Sequence, residues 1–279
     1  MWSMKHTAYY LNWKGHNLHV QEWMPADHPK AHIALIHGQS DHSGRYAHVA
    51  TFFTERQMAV SAIDLVGHGK SQGKRGHVAA FTDYLDQADL LLNDVLTKTP
   101  ECPVFLYGHS MGGLITLAHS INRSGKVRGY IATSPWLRLA FDPPAWRIQL
   151  GKLVAKVFPA LSQPVELDAG LLAHPPEVAR AYTADPLVHG KITPAAFLAI
   201  VDKGEQLLQH QGALQLPMLV VHGSGDKITD HSASALFCEN HSNVDYVELT
   251  GLYHEMHNET EQDELFHIID NWIIKQLSI

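Results

Sequence analysis

The chain of 279 residues has only two cysteines, Cys102 and Cys238, far apart and at no metal-type spacing. Two such thiols exclude a disulfide framework and suit a reducing compartment. Also missing is any apolar run approaching the length needed to cross a bilayer, and the opening residues Met-Trp-Ser-Met-Lys-His-Thr carry no apolar signal core. The expectation is a soluble, cytoplasmic protein. Positive charge is scarce: 21 Lys and Arg stand against 28 Asp and Glu, a net charge of −7, which argues against nucleic acid as a partner. Histidine is abundant, at 21 residues, but scattered instead of paired at ligand spacings, so no metal is expected and most are read as surface residues. There are no internal repeats, low-complexity tracts or linkers. With 45% hydrophobic residues, the chain is long enough for one large domain carrying an insertion.

A phosphate loop is absent as well. The stretch Asp64-Leu65-Val66-Gly67-His68-Gly69-Lys70-Ser71 is glycine-rich, but a Walker loop needs glycine where Asp64 stands and the dinucleotide pattern needs one where Gln72 stands. Both fail at positions where size matters.

What is present is alternation. Runs from His6 to Trp13 and Asn17 to Trp23, flanking Lys14-Gly15-His16, predict an antiparallel hairpin. Short apolar strands follow at Ala31 to Ile36, Met58 to Ile63, Val127 to Thr133, Pro217 to Val221 and Asp245 to Leu249, with another opening the stretch from Val104 to Ile121. Between them lie helical patterns: one with Tyr46, Val49, Phe52 and Phe53, another from Thr82 to Thr97, another from Pro194 to about His210, and a terminal one with Thr260 as N-cap. Strands alternating with helices imply a mainly parallel sheet covered on both faces.

From Trp136 to Pro194 the alternation stops, in a proline-rich segment expected to form a cap over the sheet's functional edge. The domain reading is a core of residues 1–135 and 195–279 with a cap of residues 136–194. Trp146, Leu150, Leu153, Val154, Val157 and Phe158 make one helical stripe there, with Arg147, Lys152 and Lys156 on the polar face. Such a helix could rest on an anionic membrane surface, guard an acyl pocket, or simply pack on the body.

The centre of the chemistry is Gly108-His109-Ser110-Met111-Gly112, where an apolar strand turns on glycines into a helix. That context predicts a nucleophile elbow, with Ser110 pressed outward at the strand end. Gly69-Lys70-Ser71-Gln72-Gly73 matches the same spacing without strand or helix around it, so Ser71 is read as a turn residue. Asp226 and His254 each stand just past a later strand, in the chain order serine, acid, base, although Asp230 and His257 are close rivals. A serine hydroxyl needs an imidazole to take its proton and a carboxylate to hold the imidazole. The backbone N–H groups of Met111 and of Gln39, in the His37-Gly38 loop, are the expected oxyanion donors.

Five pieces together resemble the monoacylglycerol lipase and lysophospholipase branch of the α/β-hydrolase fold. They are His37-Gly38-x-x-Asp41-His42-Ser43-Gly44-Arg45-Tyr46, Asp64-x-x-Gly67-His68-Gly69-x-Ser71-x-Gly73, Gly108-His109-Ser110-Met111-Gly112-Gly113, His222-Gly223-x-x-Asp226 and Tyr253-His254-x-x-His257. The resemblance covers nearly the whole chain outside the insertion. It implies an eight-stranded sheet, a cap, and cofactor-free hydrolysis of one acyl ester on a glycerol-like head group, through an acyl-enzyme. It also places Asp41, His109 and His257 near the head group, with Asp41 one methylene shorter than the glutamate the family often carries. A small lipid ester is the expected partner, with peripheral membrane contact through the cap. Two other readings stay open: a short-chain carboxylesterase or amidase with the same triad, and a non-catalytic binding protein on this fold, which would have no need of all three side chains.

Overall fold

A computed structural model describes residues 4–123, 127–141, 153–165 and 167–278. Eight strands, β1 Lys5–Trp13, β2 His16–Met24, β3 Ala31–Ile36, β4 Met58–Ile63, β5 Val104–His109, β6 Gly129–Thr133, β9 Gly212–Gly223 and β10 His241–Leu249, join one sheet in the spatial order β1-β2-β4-β3-β5-β6-β9-β10. β1 and β2 form the expected hairpin. Its turn places Lys14 at φ 49° and Gly15 at φ 84°, the left-handed pair that matches the twist of a tight hairpin. β2 is antiparallel to β4, and every subsequent pairing across the sheet is parallel.

β3, β4 and β5 are buried at each residue, so they read as unbroken apolar runs, because helices cover both faces of a parallel sheet. The helices described from end to end are α1 Ala47–Thr54, α2 Phe81–Lys98, α3 Met111–Asn122, α4 Pro176–Ala184, α5 Pro194–Gln209, α6 His231–Glu239 and α7 Gln262–Leu277. On one face Ile33, Leu35, Phe105 and Leu219 pack against Val49 and Phe53 of α1 and Phe266, Ile269 and Trp272 of α7. On the other, Ala34, Ile36, Leu106 and Val220 meet Leu85 and Leu92 of α2, Leu114 of α3, Ile200 of α5 and Phe237 of α6. Adjacent residues of one strand feed opposite cores, the period of two made visible.

Between β6 and α5 the described chain adds no strand to this sheet. It carries α4 and a short antiparallel ribbon, β7 Gln163–Pro164 against β8 Lys191–Ile192. Of the expected apolar stripe, Trp146 and Leu150, with the basic Arg147 and Lys152, lie outside the described residues. The rest divides: Val154 lines a cavity, while Leu153, Val157 and Phe158 are 61%, 62% and 61% exposed. Leu153, Val157 and Phe158 are therefore not packed on the body.

Two further expectations are corrected. Thr260 does not cap the last helix; α7 starts at Gln262 after Glu261, with no side-chain cap bond, and acidic Asp263 and Glu264 in its first turn supply the favourable charge instead. The histidines are not mostly superficial: twelve of the 21 are buried. Many find uncharged partners, as His32 does between Thr99 Oγ1 at 3.0 Å and Ser61 Oγ at 2.9 Å, which lets a neutral ring serve as a core polar group.

Candidate active site

The elbow is built as its sequence requires. Ser110 has φ 54° and ψ −115°, a conformation disfavoured for any residue with a side chain. It persists because β5 feeds directly into α3 and the turn has no room for another path. A Cβ on Gly108 would stand 2.0 Å from the Gly112 carbonyl oxygen, and one on Gly112 would stand 2.1 Å from the Ile36 carbonyl oxygen. Met111, the first residue of α3, has no intrahelical acceptor for its N–H. Gly38 lies against Ser110, so Gln39 follows within the same corner.

Ser110, Asp226 and His254 are brought together from three strand ends. His254 Nε2 is 3.0 Å from Ser110 Oγ, and His254 Nδ1 is 2.7 Å from Asp226 Oδ2. All three are buried. Burial alone would disfavour the His254 imidazolium, but the charge of Asp226 and the hydrogen bond to it outweigh that and raise the histidine above its ordinary value. Burial likewise opposes ionisation of Asp226, which His254 and His222 overcome, holding the carboxyl far below the usual carboxylate range. Such a chain can move a proton from the serine hydroxyl to the imidazole and stabilise the resulting cation. Asp230 instead caps α6 through Ser232 N. The Ser71 hydroxyl donates to the Asp64 carbonyl and accepts from His19 N, the role of a turn residue.

A cavity of about 810 Å³ opens onto Ser110. Its polar lining includes Gln39, Asp41, His109, His254 and Glu255, and its apolar lining includes Trp136, Leu139, Val165, Leu171 and Phe197. Of the three residues expected near a head group, Asp41 and His109 line this cavity and His257 does not. Asp41 accepts from His42 N at 2.7 Å, Arg45 at 3.1 Å and the Tyr46 hydroxyl at 2.8 Å. Arg45 and its neighbours overcome the burial that opposes its charge and push it down to about 2. His257 is fully buried, stacked on Tyr46 at 4.9 Å, and burial holds it well below its ordinary value. Among the described residues no group of three or more His, Cys, Asp or Glu side chains is arranged to hold a metal ion.

Sequence reasoning missed the pair beside the triad. Arg45 donates both arms of its guanidinium to Glu255 at 2.7 and 2.6 Å, and Tyr182 of α4 lies over it at 4.9 Å. Glu255 directly follows His254 and Arg45 belongs to the His-Ser-Gly-Arg-Tyr piece, so both were inside quoted motifs; their partnership was hidden by sequence distance. Gln39 is a second surprise. Its side chain reaches the Lys191 carbonyl of β8 at 3.1 Å and His68 Nε2 at 3.3 Å, tying the loop beside Ser110 to the segment above it.

Residues 27–261 match the Hydrolase_4 family, described as serine aminopeptidase, S33. A monoacylglycerol lipase of Mycolicibacterium smegmatis is 34% identical over 260 residues, covering 91% of this chain and 92% of that one. Phospholipase YtpA of Bacillus subtilis is 30% identical over 252 residues, 86% of this chain and 94% of that one. The crystal structure of Paleococcus ferrophilus monoacylglycerol lipase superposes with a TM-score of 0.83 at 27% identity, covering 98% of this chain and 99% of that one.

Proposed function

The chain belongs to the serine aminopeptidase S33 family of hydrolases, and from that membership we propose that it is a serine hydrolase cleaving the carboxylic ester of a monoacyl lipid, a monoacylglycerol or a lysophospholipid. The observation that carries this reading is the Ser110, His254, Asp226 chain, at 3.0 and 2.7 Å, opening on a largely apolar cavity. Ser110 attacks the ester carbonyl while His254 takes its proton; the Met111 and Gln39 N–H groups hold the oxyanion; His254 returns the proton to the departing alcohol, and water then releases the acid from Ser110 by the same steps. Asp41 and His109 form the polar wall toward the alcohol, with His257 supporting them from behind.

Residues 136–194 act as a cap whose inner side meets the acyl chain and whose outer side touches the lipid surface. Support for that comes from one short segment, where Val154 lines the cavity while Leu153, Val157 and Phe158 stand in solvent. No described helix is long and apolar enough to cross a membrane, so contact would be peripheral. The test is a hydrolysis panel of monoacylglycerols and lysophospholipids of graded length, short acyl esters and aminoacyl amides. Ser110→Ala should abolish turnover and fluorophosphonate labelling. Full turnover by that variant, or a flat preference for acetyl esters or amides in the parent, would sink the proposal.

A further inference from the structure

His222 has no part in the mechanism above, yet it touches it. It stands near the end of β9, four positions before Asp226, and is fully buried. Its Nε2 lies 3.0 Å from Asp226 Oδ2, the same oxygen that His254 Nδ1 approaches to 2.7 Å. Its Nδ1 lies 2.8 Å from Ser234 Oγ on α6. The ionised carboxylate has no proton to offer, so Nε2 is the donor; a neutral ring then carries a lone pair at Nδ1, and the Ser234 hydroxyl donates to it. Burial keeps that ring neutral, lowering His222 below its ordinary value in spite of Asp226.

The other bonds to the carboxylate come from the Thr229 hydroxyl on Oδ2 at 2.8 Å and from Ile228 N and Thr229 N on Oδ1 at 2.7 and 3.0 Å. Those three fix where the group sits. A further donor on Oδ2 is not needed for location, and its effect falls on charge.

We infer that His222 is a positioning residue acting through Asp226: its Nε2–H, held in that tautomer by Ser234, shares Oδ2 with His254 and sets how strongly the carboxylate attracts the imidazolium. The inference rests on Asp226 and His254 being the acid and base proposed above. A hydrogen bond donated to a carboxylate weakens its basicity. Taking the His222 donor away makes Asp226 a stronger partner for the imidazolium, so His254 holds its proton to higher pH. The other titratable groups facing His254 are Asp41, Glu255, His109 and His257. His231 lies 6.4 Å from His222, ring to ring. All of them stay in place in the variants.

The test is the pH profile of kcat/KM for His222→Leu, His222→Gln, Ser234→Ala and Asp226→Asn beside the parent, with melting temperatures. His222→Leu should move the acid limb up by about half to one pH unit, with KM held within about twofold. Glutamine puts an amide N–H where Nε2 was and should return the limb to its parent position. Ser234→Ala, which frees the tautomer, should move the limb in the same direction as leucine and by less. If leucine prevents folding, Ser234→Ala decides: its limb either moves up, as expected, or stays and overturns the inference. An unmoved limb in folded His222→Leu, or a glutamine variant that behaves like leucine, also overturns it. Full turnover by Asp226→Asn would overturn the triad itself; loss of turnover there with an unmoved limb in His222→Leu removes only the part given to His222.

Discussion

Ser110 pays for its placement in strain, and that cost can be measured. At φ 54° and ψ −115° the residue would relax if its side chain were removed, so Ser110→Gly is expected to be inactive and more stable by about 1 kcal/mol. Denaturant midpoints of parent and variant check this; a variant less stable than the parent would mean that the Cβ contacts outweigh the strain. His254 gives a second prediction. Its imidazolium is stabilised by Asp226, and the reaction needs the neutral ring. Activity should therefore disappear as pH falls through a value above the ordinary 6.5, and a rate profile whose acid limb lies below 6.5 would contradict it. The grouping of Ser110, Asp226 and His254 was readable because each of them follows an apolar strand run. Arg45 with Glu255 and His222 with Ser234 were not, because a hydrogen bond between residues distant in the chain leaves no local pattern.

At the scale of elements, the join of β5 to α3 tolerates the least change. Gly108→Ala puts a methyl 2.0 Å from a carbonyl oxygen of backbone, which no rotamer change relieves. A loss of more than about 3 kcal/mol is expected, or no folded protein, and a soluble variant with parent-like melting would show that the elbow has slack. The segment between β6 and α5 gives a contrasting case. Leu153, Val157 and Phe158 fell on a helical stripe in the sequence, but periodicity cannot say whether an apolar stripe faces protein or lipid. Their exposure predicts that replacing all three with serine weakens binding to lipid vesicles at least severalfold without changing kcat on a soluble ester; vesicle flotation beside that assay separates the two effects. Unaltered flotation would leave the exposed side chains without a lipid role. The ribbon of β7 and β8 has two residues a strand, too short for alternation to reveal.

Over the whole molecule, the buried histidines dominate the response to acid. His37, His68, His109 and His257 are held below the ordinary 6.5, chiefly by burial, and the same cause lowers His32 to about 3 and His189 to about 4. Each unfolded histidine takes its proton first, so the stability these rings contribute is complete above their unfolded value and declines below it by about 1.4 kcal/mol per ring per pH unit. His48, His77, His222 and His241 are lowered by burial as well, and His254, raised instead of lowered, works in the opposite sense but is one against ten. Depressed Asp41, Asp64 and Asp226 add their losses at lower pH. The melting temperature should therefore begin to fall just below pH 6.5 and unfolding should be complete before about pH 4; a profile flat to about pH 5 would refute this. Composition counted the histidines without revealing it, since burial depends on which sheet face each one meets.

The sheet also sets the proposed partners far apart along the chain. Ser110 follows β5, while its proposed base stands 144 positions later, beyond β9 and β10 at one side of the sheet. A chain cut after β6 would hold neither proton acceptor nor counter-charge for that serine, so fluorophosphonate labelling of Ser110 would report whether β9 and β10 have docked.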